Sequence, residues 1–180
     1  MKHLLLMVSM AFCIVACKNQ CHKVEKVLAD ELVLNTDQFC GKKVETEGVI
    51  VHICGVDGKK MKLKADNGSM LMISASEAIP YFDKKFFNKR VRIQGLVWES
   101  RVDSLYLDKV EVGKTLLCHI NNSPCKDTVW VKKQTEYGRE DSLSQRDVKR
   151  LRDRMKQTGK QYVSTVIICA ENVDIIEKED

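Results

Sequence analysis

Val44-Glu45-Thr46-Glu47-Gly48-Val49-Ile50-Val51-His52-Ile53-Cys54 runs into the turn Gly55-Val56-Asp57-Gly58 and then into Lys60-Met61-Lys62-Leu63-Lys64-Ala65. The first run is long, rich in β-branched residues and interrupted at its middle by Gly48, where a glycine marks a bulge or a sharp bend. A bulge there points Val49, Val51 and Ile53 inward and His52 and Cys54 outward; without it the faces exchange and Cys54 becomes core. The second run alternates strictly, apolar residues on one face and lysines on the other, which is the period of a half-buried strand. Asp66-Asn67-Gly68 is a hairpin signal, and Met70 to Ser76 reads as the returning strand.

Working outward, Pro80-Tyr81-Phe82-Asp83-Lys84-Lys85-Phe86-Phe87 predicts a short helix with proline in its first turn, with Ile79, Phe82 and Phe86 on one face. Arg90 to Glu99 alternates again, and Ser104 to Val112 reads as a fifth strand. A long bent strand, two hairpin-linked strands, a short apolar helix and two more strands is the order of an OB-fold, a five-stranded, partly open barrel with a plug helix between strands three and four. The chain is therefore expected to be mainly β: an OB-fold-like barrel over 36–113 and a C-terminal α/β extension over 114–180, with a small mixed β-sandwich as the alternative. Within the extension, Ser144 with Asp147 predicts a helix N-cap, and Trp130 is expected to pack on the barrel. Val148, Leu151 and Met155 mark the inner helical face, and Gly159 suits the stop. Tyr162 to Ile176 is β-rich; it either adds a strand to the barrel edge or belongs to a small appendage.

The chain has 180 residues, 31% of them charged, and a formal net charge of +5. That excess permits anionic partners without requiring them. Met1-Lys2-His3 is a short basic start, and Leu4 to Val15 is an apolar run too short to cross a bilayer as a stable helix. It reads as the core of an export signal over 1–16. Ile14-Val15-Ala16-Cys17 resembles a bacterial lipobox, which implies that Cys17 is lipidated and tethers the protein to a membrane outside the cytoplasm; a plain secretory cut after Ala16 is the competing reading. Residues 17–35 then form a tether and lead-in. No acidic residue follows Cys17 directly to signal inner-membrane retention, which points to the outer membrane.

Of eight cysteines, Cys13 leaves with the signal and Cys17 takes lipid. Cys21, Cys40, Cys54, Cys118, Cys125 and Cys169 remain, and an even number in an exported protein reads first as disulfides. Cys118 and Cys125 suit a short disulfide loop. Buried free thiols are the other reading, since a buried cysteine is a small hydrophobe. His52, Cys54, Cys118, His119 and Cys125 also form a candidate soft metal site, suited to zinc or copper(I), although their spacing matches no compact zinc motif.

Lys60, Lys62 and Lys64, joined by Arg90 and Arg92, are the candidate ligand-binding cations, because OB-folds bind oligonucleotides and oligosaccharides on the face around strands two and three. Single-strand binders also need aromatic stacking platforms, and strands two and three have none. The lysines therefore read first as a solvated strand face, and nucleic acid is not an expected partner. No nucleophile elbow, Cys-x-x-Cys, His-Glu-x-x-His or phosphate-binding glycine loop occurs, so no reaction is expected.

Gly48 to Cys54, Gly58-Lys59-Lys60-Met61 and Gly95-Leu96-Val97-Trp98-Glu99-Ser100-Arg101-Val102-Asp103 together resemble uncharacterised OB-fold lipoproteins and periplasmic OB-fold proteins of Gram-negative bacteria; Arg152 to Ile176 is similar to their helix-then-strand ending. The resemblance implies the fold and the envelope address, and brings no activity with it. The broader group of exported OB domains includes stress-related proteins and a haem chaperone, whose haem-attachment histidine segment has no counterpart here. The expected function is a membrane-anchored envelope module that binds a peptide, a glycan or a partner protein. A metal or thiol-redox lipoprotein and an oligonucleotide binder are the alternatives.

Overall fold

The structure is a computed structural model that describes residues 24–176. The expected export signal over 1–16, and Cys17 and Cys21, lie outside the described residues.

The described residues form six strands: β1 (Glu25–Lys26), β2 (Lys43–Ile53), β3 (Lys60–Lys64), β4 (Met70–Ser74), β5 (Arg90–Asp103) and β6 (Tyr162–Ile175). β2, β3, β4, β6 and β5 pair in that order, and β5 returns to β2, which closes a five-stranded barrel. All pairings in the ring are antiparallel except β4 with β6. That is OB-fold topology. β1 lies outside the ring, parallel to Val44 and Glu45 of β2, so the segment expected as tether and lead-in is already part of the sheet at Glu25 and Lys26.

Alternation fills the interior. Val44, Ile50, Met61, Leu63, Leu71, Ile73, Val91, Ile93, Val97, Val166, Ile168 and Ala170 are all buried in one cluster, as a period-2 pattern requires of a barrel. The bend in β2 has two components. Gly48 points inward, where a Cβ would sit 2.7 Å from the Lys64 carbonyl oxygen and collide with Leu63. Only glycine lets β2 cross from β5 to β3 at this separation. The bulge itself falls two residues later than expected, between Ile50 and His52. It leaves Ile50 and Ile53 inside and turns His52 to the outer face opposite Lys62.

Both barrel ends are closed by apolar side chains. At one end, α1 (Ala29–Leu34), followed by α2 (Thr36–Phe39), packs on β2, β4 and β6 and buries Ala29 and Leu32 completely or nearly so. At the other, the predicted Pro80–Phe87 helix shrinks to a single 3-10 turn, Lys84–Phe86, capped by Asp83, whose Oδ1 accepts the Lys85 N–H at 2.7 Å. Phe82 still enters the core, held where its own N–H donates to the Gly58 carbonyl at 2.8 Å.

The largest correction concerns the fifth strand. Ser104–Val112 is a helix, α3, not a strand. Asp103 ends the strand ladder and caps the helix through the Tyr106 N–H (2.8 Å), and Leu107 and Val110 bury at helical spacing. The fifth stave is β6, from the C-terminal extension. β5 and β6 stay paired from Val91–Ile175 out to Asp103–Tyr162, so they project past the barrel as a ribbon. α3, α4 (Thr128–Glu136) and α5 (Glu140–Thr158) are inserted between them. α3 and α5 pack on the outer side of that ribbon through Val102, Leu107, Val110, Leu117, Val148, Leu151 and Val163. Gly159 ends α5 with φ 65°, as expected. Ser144 is not its N-cap: the helix starts at Glu140, and Ser144 is buried four residues in, donating to the Val110 carbonyl at 3.1 Å. Trp130 sits on α4, which packs against α5 rather than the barrel. Among the described residues no helix is long and apolar enough to cross a membrane.

Candidate functional site

The outer face of β2, β3, β4 and β6 carries one cross-strand row: His52 opposite Lys62, Lys62 opposite Met72, and Met72 opposite Ile167. The loop between α3 and α4 folds over this row. It is a tight excursion closed by the Leu117–Pro124 bridge, by Cys118 N–H to Ser123 O (2.7 Å) and by Cys125 N–H to Leu116 O (2.8 Å). Asn122 is its keystone. It adopts φ 56°, its carbonyl accepts the Tyr106 hydroxyl at 2.9 Å, and its Oδ1 accepts Arg150 Nη2 at 3.1 Å. Cys118 and Ile120 then pack on Met72, Ile167 and Cys54, while the His119 ring meets His52 edge-on at 4.5 Å between centroids.

The five sequence candidates for a metal site are thus only partly gathered. His52 and His119 touch, and Cys54 and Cys118 share the small apolar cluster beside them. Cys125 lies at the far foot of the loop, beside Pro124 and Val131. Among the described residues no three His, Cys, Asp or Glu side chains converge in a metal-binding arrangement. The expected Cys118–Cys125 disulfide is absent: Cys40, Cys54, Cys118, Cys125 and Cys169 are all free. The loop is closed by backbone hydrogen bonds instead, and Cys118 serves as a small buried hydrophobe.

Below the row, β4 and β6 part. Their pairing spans only Met72–Ile167, Ile73–Ile168 and Ser74–Cys169. Toward α1 the strands diverge, and the opening between Gly68–Leu71 and Tyr162–Val166 forms a cleft of about 580 Å³, within the range of ligand sites. Four cations line it: Lys62 from β3, Arg150 and Arg154 from α5, and Lys160 from the turn before β6. No carboxylate lines it among the described residues. Burial first, and the Arg150 charge second, push the Lys62 ammonium below its ordinary value. His119 is exposed on one side, yet desolvation of its packed edge lowers its pKa first, with His52 and Lys62 adding to the effect and Asp147 opposing it. His52 is lowered by burial and then by Lys62. These shifts share one direction, set first by desolvation and then by neighbouring positive charge.

The other predicted cations belong elsewhere. Arg90 and Arg92 lie on the β2–β5 wall. Arg90 makes a bidentate pair with Asp66 (2.9 and 3.1 Å), and Arg92 grips Glu47 through Nε and Nη2 (3.0 and 2.9 Å). Lys60 and Lys64 point outward from β3 as predicted, but neither lines the cleft; of the three strand lysines, only Lys62 does. Sequence reasoning missed Arg150, Arg154 and Lys160. Arg146, Arg150 and Arg154 recur every four residues and so share a helical face, but a solvated helix has the same signature. No protein-family model matches this sequence, and no curated protein aligns with it to significance.

Proposed function

We propose that this protein is a lipid-anchored envelope lipoprotein whose OB-fold barrel is a binding module and not an enzyme, with the cleft between β4 and β6 as its binding site. The lipobox-like Ile14-Val15-Ala16-Cys17 supports export and acylation at Cys17, and the outer membrane fits the absence of an acidic residue directly after it. The observation that carries the binding reading is the cleft itself: ligand-sized, floored by Met70, Met72 and Ile120, and ringed by Lys62, Arg150, Arg154 and Lys160. A concave apolar floor with a few convergent polar groups is the usual form of a binding site.

Two measurements test the two halves. Growth of a Gram-negative host expressing the full chain with an alkyne palmitate analogue is expected to label it, and Cys17→Ser to abolish the label; an unlabelled wild-type chain sinks the anchor. For the module, amide NMR of the folded domain is recorded against a panel of short peptides and oligosaccharides of both charges. Saturable shifts are expected around Lys62, Met72 and Tyr162–Val166. Shifts confined to other surfaces, or none with any member, sink the site.

A further inference from the structure

Resting on that reading of the cleft, we propose that its ligand is an acidic peptide segment in extended conformation, bound by strand addition along the open edge of β6. The ladder supplies the first argument. Tyr162 to Val166 of β6 pair with β5 on one side, and among the described residues they have no strand partner on the side of β4. An antiparallel ladder uses alternate N–H and C=O pairs of a strand, so the remaining groups of these five residues point into the cleft. At about 3.3 Å per residue they offer roughly 17 Å of unused edge. Across the opening, Met70 and Leu71 of β4 are paired only with β3, so the gap has unused backbone on both walls. Such edges are templates for an incoming strand.

The placement of charge supplies the second. Proteins often blunt an open edge by placing lysine on the edge strand itself. Here the edge residues, Gly68-Ser69-Met70-Leu71 and Tyr162-Val163-Ser164-Thr165-Val166, carry no charge at all. The cations stand one element away, on β3, on α5 and in the turn at Lys160. They ring the space that an added strand would occupy without blocking it. Arg154 has no ion-pair partner among the described residues, and Arg150 shares its nearest carboxylate, Asp147 (3.6 Å), with Arg146. Main-chain pairing gives such a peptide its affinity, and side chains alternating along it meet the cationic rim and the Met70–Met72–Ile120 floor in turn. A peptide alternating glutamate with valine matches both.

The probe is the heptapeptide Glu-Val-Glu-Val-Glu-Val-Glu with blocked ends, titrated into the folded protein by calorimetry, with hydrogen exchange followed at the amides. Three comparisons accompany it: the lysine counterpart, the same acidic peptide N-methylated at alternate residues, and a uronic-acid oligosaccharide of equal charge. Expected are saturable binding of the acidic peptide, slowed exchange at alternate amides of Tyr162–Val166, and about tenfold weaker binding on N-methylation or in Arg154→Glu/Lys160→Glu. Both substituted residues are exposed, and the melting temperature checks that the fold is kept. Equal binding of the N-methylated peptide overturns strand addition. Binding of the oligosaccharide at the cleft in place of the peptide overturns the proposal and leaves the binding site standing. Silence from all four probes at the cleft overturns the proposal and counts against the site as well.

Discussion

Two groups of cations sit on the outside of this barrel, and they differ in what faces them. On the β2–β5 wall, Arg90 and Arg92 meet Glu45, Glu47 and Asp66 across neighbouring strands, and each guanidinium lies within ion-pair distance of two carboxylates. Around the cleft, Lys62, Arg150, Arg154 and Lys160 converge with no carboxylate among them. The first group is satisfied within the molecule. The second is only partly balanced: Arg150 shares Asp147 with Arg146, and Arg154 has no ion-pair partner among the described residues. Counting basic residues along the chain treats the two alike; only the register of opposing strands separates them.

The most severe way to break the comparison is to break the wall. Gly48→Val places a side chain against the Lys64 carbonyl and Leu63, where β2 leaves β5 for β3. Overpacking of this kind costs about 3 kcal/mol, read as a lowered urea midpoint. An unchanged midpoint means that β2 and β3 are not in contact as described.

Charge reversal sharpens the comparison more gently. Arg154→Glu/Lys160→Glu is expected to leave thermal stability unchanged and to weaken the acidic heptapeptide about tenfold, an effect that fades as salt screens the cleft. Arg92→Gln should do the opposite: a small loss of stability through the freed Glu47 and Glu45, with peptide binding intact. Matching effects from the two variants would erase the distinction between wall and cleft.

A smaller effect is expected with pH. His52 and His119 have folded-state pKa values below the ordinary 6.5, first from burial, then from Lys62 at His52 and from His52 and Lys62 at His119. The unfolded chain therefore binds more protons than the folded one as pH falls through that range, and stability declines with it. The charged groups acting on the pair are Lys62 on β3 and Asp147 on α5, the latter opposing the shift at His119. Melting temperature should fall between pH 7.5 and 5 relative to a His52→Gln/His119→Gln protein, in which that part of the slope is lost. A wild-type slope equal to that of the double variant refutes the assignment. Smallest of all, Lys60→Ala and Lys64→Ala should change neither stability nor peptide affinity measurably, since both project outward from β3 away from the cleft lining.

Much of the fold was legible because strand alternation is local. Met61 and Leu63 inward with Lys60, Lys62 and Lys64 outward, the Asp66-Asn67-Gly68 hairpin, and Val148 and Leu151 on the inner face of α5 all follow from period and turn chemistry. Ser104–Val112 misled because a run of leucine, tyrosine and valine suits strand or helix equally well. The Asp103 cap and the burial of Leu107 and Val110 resolved it. Spacing left Cys118 and Cys125 open to a disulfide or to free thiols; both are free, and Cys118 is the buried thiol of the second reading.

Neighbouring residues were enough to read a mainly β chain, three consecutive staves of its barrel and the position of the glycine at the bend. Only the tertiary structure decided which segment closes the ring, which arginines are neutralised, and that β4 and β6 part where Lys62, Arg150, Arg154 and Lys160 meet. Each depends on residues far apart in the chain reaching the same place, and no local pattern records where a distant strand or helix will lie.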